Sequence, residues 1–181
     1  MASWDDDGYY EAAFGVGKSR RYHAFMREFY QRLSDWTLAV QALTGAAAFV
    51  ALLPTQANSI LPKILTAIVA IAATLDLVFR FSHKARIHDD LCGKFTQLAA
   101  QIAEMVPNTK NLQIACASRI RIEASEPTER RLIDLRAHND ELSARGVLPE
   151  NIIPLDYWQM SWIAYLFTFG EADLRRRMEL K

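Results

Sequence analysis

The sequence predicts an all-α membrane protein: a two-transmembrane helical hairpin with a cytoplasmic helical extension. Three observations predict it. Residues 36–62 run for 27 positions without a formal charge, a second apolar run extends from about Ile60 to Phe81 with Lys63 near one end and Asp76 near the other, and apolar residues on both sides recur every three or four positions. A membrane helix needs about 20 largely apolar residues at about 1.5 Å each, so each run is long enough to span. The short stretch Pro54-Thr-Gln-Ala-Asn-Ser59 between them is rich in helix breakers and predicts a tight turn joining two antiparallel spans. The alternative is a soluble protein with two buried core helices, although runs this long and this poor in charge are unusual in a domain of 181 residues.

Composition excludes several classes. The 21 Lys plus Arg balance the 21 Asp plus Glu, so no bulk basic excess points to nucleic acid and no acidic excess points to a solvating tail. Cys92 and Cys116 have no CxxC spacing and too few neighbours for a zinc site, which fits a reducing compartment. The start, with Asp5, Asp6 and Asp7, is unlike a secretory signal. Lys18, Arg20, Arg21, Arg27 and Arg32 precede the first span, and Arg80, Lys84, Arg86 and Lys94 follow the second. The positive-inside rule therefore places both termini in the cytoplasm.

Residues 1–16 read as a flexible N-terminus. Gly15-Val-Gly17-Lys18-Ser19 ends like a phosphate-binding loop, but Ala12 stands where GxxxxGK[ST] needs its first glycine and no strand precedes it. A flexible hinge is expected there. Residues 17–35 form an amphipathic approach helix, in which Tyr22, Phe25, Phe29, Leu33 and Trp36 recur at 3, 4, 4 and 3.

Residues 36–81 are the hairpin. In its first span Thr37, Gln41, Thr44 and Ala48 share one face with Gly45 beside them, and in its second Thr66, Ala70 and Thr74 make a small-xxx-small row suited to close helix packing. Asp76 needs an explanation, because a carboxylate below the interface costs a few kcal/mol and faces a partner or water. It lies about 6 Å in from Arg80, and Gln41 lies about 7.5 Å in from Trp36 on the same side, so the two share a depth. One reading bonds Asp76 to Gln41 or Thr37 and salts it to Arg80. The other makes Asp76 part of a carboxylate ring at the cytoplasmic mouth of an oligomeric pore, since two helices alone enclose no channel.

Residues 82–146 form a cytoplasmic bundle. Lys84, His88, Leu91, Phe95, Leu98, Ile102 and Met105 follow a 4,3 rhythm that predicts a coiled-coil-like arm projecting into the cytoplasm, with Leu91, Phe95, Leu98 and Ile102 as its bundle or oligomer face. The arm ends at Pro107-Asn108; helices follow over about 109–124 and 128–144, the latter closed by Gly146 and carrying Leu132, Leu135, Asn139 and Leu142 along one seam. Arg119-Ile-Arg-Ile-Glu123 alternates like a strand but is too short and isolated for a sheet. Residues 147–181 hold Tyr157, Trp158, Trp162, Tyr165, Phe167 and Phe169, then Arg175, Arg176 and Arg177. An interfacial helix, with Trp36, Arg80, Trp158 and Trp162 at the membrane interface, competes with docking of this segment on the bundle or another subunit.

His83 and His88 with Asp89 and Asp90, and His138 with Asp140 and Glu141, match no metal motif and read as solvated helix faces, with a pH-responsive membrane-proximal cluster as the alternative. No nucleophile elbow or acid/base pair is present. No cofactor is expected and the chain reads as a non-enzyme.

The basic, aromatic approach from Arg21-Tyr-His to Phe29-Tyr-Gln-Arg32, the hairpin, and the extension beginning Asp76-Leu-Val-Phe-Arg-Phe-Ser-His83 resemble the SLATT domains. These are two-transmembrane effectors associated with nucleotide-sensing SMODS and SLOG modules in bacterial conflict systems. The resemblance covers about residues 17–145 and rests on architecture more than on an invariant motif. It implies an inner-membrane effector of antiviral defence that opens a homo-oligomeric pore when a separate nucleotide-sensing or nucleotide-generating partner signals infection. A second expectation is a non-conducting membrane-anchored scaffold whose helices recruit a cytoplasmic partner. The aromatic tail departs from the simplest version of the family.

Overall fold

A computed structural model describes residues 4–51, 60–148 and 152–155, and every element among them is an α-helix. They run in the order α1 (Trp4–Ala51), α2 (Ile60–Phe79), α3 (Phe81–Glu104), α4 (Thr109–Glu123) and α5 (Arg131–Ala144). The chain divides into two compact units, Met1–Met26 with His88–Lys181 and Arg27–Ile87.

The first unit is built on the N-terminal half of α1. Tyr9, Ala12, Val16, Ser19, His23 and Met26 are buried and recur at 3, 4, 3, 4 and 3, so one stripe of α1 faces a core. Phe95, Leu98 and Ile102 of α3 and Ala115 of α4 close on Tyr9 and Val16, with Leu112 and Ile122 packed at the margin. The Tyr9 hydroxyl donates to the Val106 carbonyl at 3.2 Å and fixes the start of α1 against the end of α3. Two expectations are corrected here. Residues 4–16 are helical, not a flexible N-terminus, because their apolar register continues that of the approach helix; no hinge interrupts α1 at Gly15 or Gly17. The arm formed by α3 is packed into this core, because its 4,3 rhythm finds the stripe of α1.

Helix boundaries in this unit follow local chemistry. Asn108 caps α4 by accepting from the Asn111 amide at 2.8 Å. The Arg119–Glu123 segment is the last turn of α4, tied by an Arg119–Glu123 ion pair. At the end of α5, Gly146 has φ 81°, its amide bonds Ser143 and the Val147 amide bonds Leu142, which is the paired closure that only a left-handed residue allows. Leu132 and Leu135 pack with Ile153 and Leu155, and Asn139 donates from Nδ2 to the Ile153 carbonyl at 2.7 Å.

In the second unit apolar surface dominates. The stretch Lys63–Glu104, α2 followed by α3, includes an apolar window long enough to cross a membrane, and only 6 % of that window is buried. Trp36, Leu38, Leu43 and Phe49 of α1 and Ile60, Ile64, Ile71, Leu77 and Val78 of α2 are exposed. Among the described residues of this unit, burial is confined to Tyr30 and Ser34 on α1, Ala72 on α2 and Ala85 on α3, with Lys84 held over the Tyr30 ring at 5.5 Å. Between α2 and α3, Arg80 takes φ 49°, the left-handed region, while Phe79 and Phe81 stack at 5.6 Å on either side of it. The Arg80 amide still bonds Asp76 and the Lys84 amide bonds Arg80, so the helical ladder is carried across the break.

Candidate functional site

The polar residues of the apolar segments divide into two groups. On α1 the partly covered side carries Ser34, Thr37, Gln41 and Thr44, the face the spacing predicts. On α2 the covered side carries Leu65, Val69, Ala72 and Asp76, one position round from the expected row; Thr66, Ala70 and Thr74 are exposed. At Gly45 an added Cβ would meet nothing within 4 Å among the described residues. Chemically, the threonines look after themselves: Thr37 Oγ1 donates to Leu33 and Ser34 carbonyls, Thr44 to Val40, and Thr74 to Ala70 at 2.7 Å. Back-bonding of this kind lets a hydroxyl sit in apolar surroundings without a second helix. The expected bond from Asp76 to Gln41 or Thr37, and its ion pair with Arg80, are not formed among the described residues, where Asp76 is half-buried and its carboxylate has no bonding partner. Trp36 is exposed, as an interfacial residue would be; Trp158 and Trp162 lie outside the described residues.

In the first unit the structure assembles a polar cluster that sequence spacing does not reveal. His23 of α1 and His88 of α3 are both buried, and their Nδ1 atoms lie 2.9 Å apart. His23 Nε2 meets Glu126 Oε1 at 3.1 Å. Phe95 stacks on His23 at 5.5 Å, and Tyr22 sets its edge against His23 at 5.1 Å and His88 at 6.3 Å. The Tyr22 hydroxyl accepts from the Arg130 amide at 3.0 Å, which helps the start of α5 in place of a side-chain cap. Burial, then the charge of His23 and that of Arg130, push the His88 imidazole down from its ordinary 6.5 to about 4. His88 is therefore not on a solvated face, because its 4,3 register with Leu91 and Phe95 turns it inward.

A second network ties α1 to α5. Arg21 Nε donates to Glu141 Oε2 at 2.7 Å, Arg145 Nε to Glu141 Oε1 at 2.9 Å, and Lys18 pairs with Asp134 at 2.7 Å. Burial raises the Glu141 carboxyl, but the two arginine hydrogen bonds and charges outweigh it and hold it below the ordinary range. The Arg145 guanidinium also lies 4.7 Å over Tyr10, and Phe14 meets His138 edge-on at 5.1 Å. Glu141 is therefore buried and paired, which corrects its reading as part of a solvated face. The glycines of the GVGKS string serve this contact: a Cβ at Gly17 would collide with the Glu141 carboxylate, and one at Gly15 with the Arg119 guanidinium.

His23, Glu126, Arg130, Arg21 and Lys18 are thus the residues that sequence reasoning missed. The available signal was the 3,4 register 9, 12, 16, 19, 23, 26, which the larger aromatics Phe25 and Phe29 obscured. Among the described residues no group of three or more His, Cys, Asp or Glu is placed to hold a metal ion. No family model matches the chain, and no curated protein or solved structure matches it.

Proposed function

We propose that the chain is a bacterial inner-membrane effector of SLATT-like architecture, with two spans, both termini cytoplasmic, and a homo-oligomeric pore as its active form. The observation that carries this reading is the apolar collar of α1 and α2. Each large apolar side chain left in water forfeits about 1.5–3 kcal/mol of burial, and at least nine such side chains stand exposed on these two helices. Lipid is the solvent that suits them, and the self-bonded threonines suit it too. Copies of the chain meet through the exposed row Thr66, Ala70 and Thr74 and the open surface at Gly45, where backbones can approach closely. Asp76 then contributes one carboxylate per subunit near the cytoplasmic mouth, a ring that favours cations. A separate nucleotide-sensing or nucleotide-generating protein supplies the activating signal in this reading.

The second reading is a non-conducting scaffold that recruits a cytoplasmic partner, favoured by the position of Asp76 on the covered side of α2. Membrane fractionation, followed by a potential-sensitive dye in bacteria expressing the wild type or Asp76→Ala, separates them. Carbonate-resistant wild type that depolarises the membrane, with depolarisation altered by the substitution, supports the pore. Membrane-bound protein whose activity in defence is unaffected by Asp76→Ala supports the scaffold. Wild type recovered in the soluble fraction sinks both.

A further inference from the structure

The joint between α2 and α3 breaks a local rule for no reason found inside the chain. Arg80 holds φ 49°, a left-handed conformation that a side chain with a Cβ resists and that glycine adopts freely. An outlier of this kind points to a use for the side chain that occupies it. Yet the exposed Arg80 guanidinium makes no hydrogen bond or ion pair among the described residues, and the Asp76 carboxylate one turn earlier does not meet it. Other cations of the same unit are satisfied locally: Arg32 pairs with Glu28 at 2.6 Å, and Lys84 lies 5.5 Å over the Tyr30 ring.

Arg80 is not alone in this. His83 and Arg86 follow it at steps of three, so the three positions stand within about 9 Å along the axis. Both are exposed, and neither is paired among the described residues. From Leu77 to His88 the sequence holds no carboxylate that could neutralise them. On the α2 side of these charges the surface turns apolar. Leu77, Val78 and Phe79 are exposed, and Phe79 stacks on Phe81 at 5.6 Å with the rings 8° apart, one on each side of Arg80.

A partner that fits this surface brings negative charge on an apolar body, at the depth where a span leaves the hydrocarbon. An acidic phospholipid has that build. Its phosphate oxygens match the fork of a guanidinium, an imidazole N–H donates to them, and its acyl chains cover what α2 exposes. A free anion would use the cations and leave the phenylalanines uncovered.

We propose that Arg80, His83 and Arg86 bind the headgroup of an anionic phospholipid of the inner leaflet, with Phe79 and Phe81 seated against its acyl chains. The site rests on the membrane placement of α2 proposed above, and it holds for a pore and a scaffold alike.

The test places the full chain in nanodiscs of phosphatidylcholine alone, or of phosphatidylcholine and phosphatidylglycerol in equal parts. Lipid retained after release from the disc is then counted by native mass spectrometry. Wild type should keep phosphatidylglycerol in preference to phosphatidylcholine. Arg80→Gly, which suits the backbone of the joint, should reduce that preference about fivefold, and Arg86→Gln, on an exposed helical face, by about the same factor. Arg131→Gln removes an exposed charge of α5 and should leave the preference within about twofold, since distant charges are screened. Equal retention of the two lipids by wild type, or an unchanged preference in both Arg80→Gly and Arg86→Gln, overturns the site. So does an equal fall in Arg131→Gln, which would make the preference a matter of net charge. Loss of the preference in excess inorganic phosphate overturns it as well, because a free anion would then suffice. A chain that stays out of phosphatidylcholine nanodiscs sinks the membrane placement and the site with it, whereas one that enters them without preferring the anionic lipid sinks the site alone.

Discussion

Gly15 and Gly17 sit two residues apart on α1 and face different neighbours, and their substitution should separate two effects that usually travel together. Alanine in a helix interior gains about 1 kcal/mol over glycine. At Gly15 the colliding group is the far end of Arg119, partly exposed and already paired with Glu123, so it can swing aside. Gly15→Ala should therefore be neutral or stabilising by about 0.5 kcal/mol. At Gly17 the colliding group is the Glu141 carboxylate, buried and bonded to Arg21 and Arg145. Displacing it strains two charge-assisted bonds worth about 1.5–3 kcal/mol each, and Gly17→Ala should lose about 1–2 kcal/mol net in thermal unfolding followed by circular dichroism. The residue scale is also where the sequence was least legible. Asp76 was visible as an anomaly, but its neighbours were not, because partners on another helix are fixed by a rotation of one residue. Within the chain the covered side of α2 carries Leu65, Val69 and Ala72, one position round from the row Thr66, Ala70 and Thr74, which stays exposed.

At the scale of elements, periodicity served well where it was long. The 4,3 rhythm of Leu91, Phe95, Leu98 and Ile102 marked a face that the structure buries, and Pro107-Asn108 and Gly146 marked helix ends where Asn108 caps α4 and Gly146 closes α5. It failed at the start of α1, where small and polar members of the stripe, Ala12, Ser19 and His23, carry too little hydrophobicity to be read as core. Nor does periodicity reveal the break between α2 and α3, since Arg80 is a good helix former. A left-handed conformation costs a non-glycine residue about 1–2 kcal/mol, more for a β-branched one. Arg80→Gly should accordingly raise the thermal midpoint in detergent, by about 0.5–1 kcal/mol of stability after the added freedom of the unfolded chain is deducted. Arg80→Val should lower it. A joint that responds equally to both substitutions would mean that the backbone at position 80 is not under strain.

For the molecule as a whole the sign of the acid response follows from its buried charges. His88 binds its proton more weakly folded than unfolded, so its stabilising contribution is complete above its ordinary 6.5 and is lost as pH falls toward 4. The shift corresponds to a loss of the order of 3 kcal/mol. His138, lowered by burial and then by Lys18, acts in the same sense. Glu141 adds its own loss below the ordinary carboxylate value of 4.5, whereas Glu129, raised by burial, acts in the opposite sense and offsets part of it. Denaturant unfolding of the full chain should show midpoints that fall between pH 6.5 and pH 4.5, before the carboxylates titrate. Midpoints that hold constant through that window would contradict a buried neutral His88. The apolar collar of the second unit was legible from composition alone, because hydropathy needs no knowledge of partners; the ionic contacts of the first unit were not, because they join residues more than one hundred positions apart.

The unbroken course of α1 through residues 12–19 also fixes what kinship by short motifs can mean for this chain. One substitution, Ala12→Gly, would complete the string GxxxxGK[ST] with Gly17, Lys18 and Ser19. The letters would be right and the chemistry absent. A phosphate cradle needs a loop whose amides point freely at the anion, whereas here those amides are bonded to carbonyls four residues back, Lys18 is engaged with Asp134 and position 12 faces the core. Such a variant would acquire the signature of a nucleotide-binding lineage together with a weakened helix, and no affinity for a nucleotide.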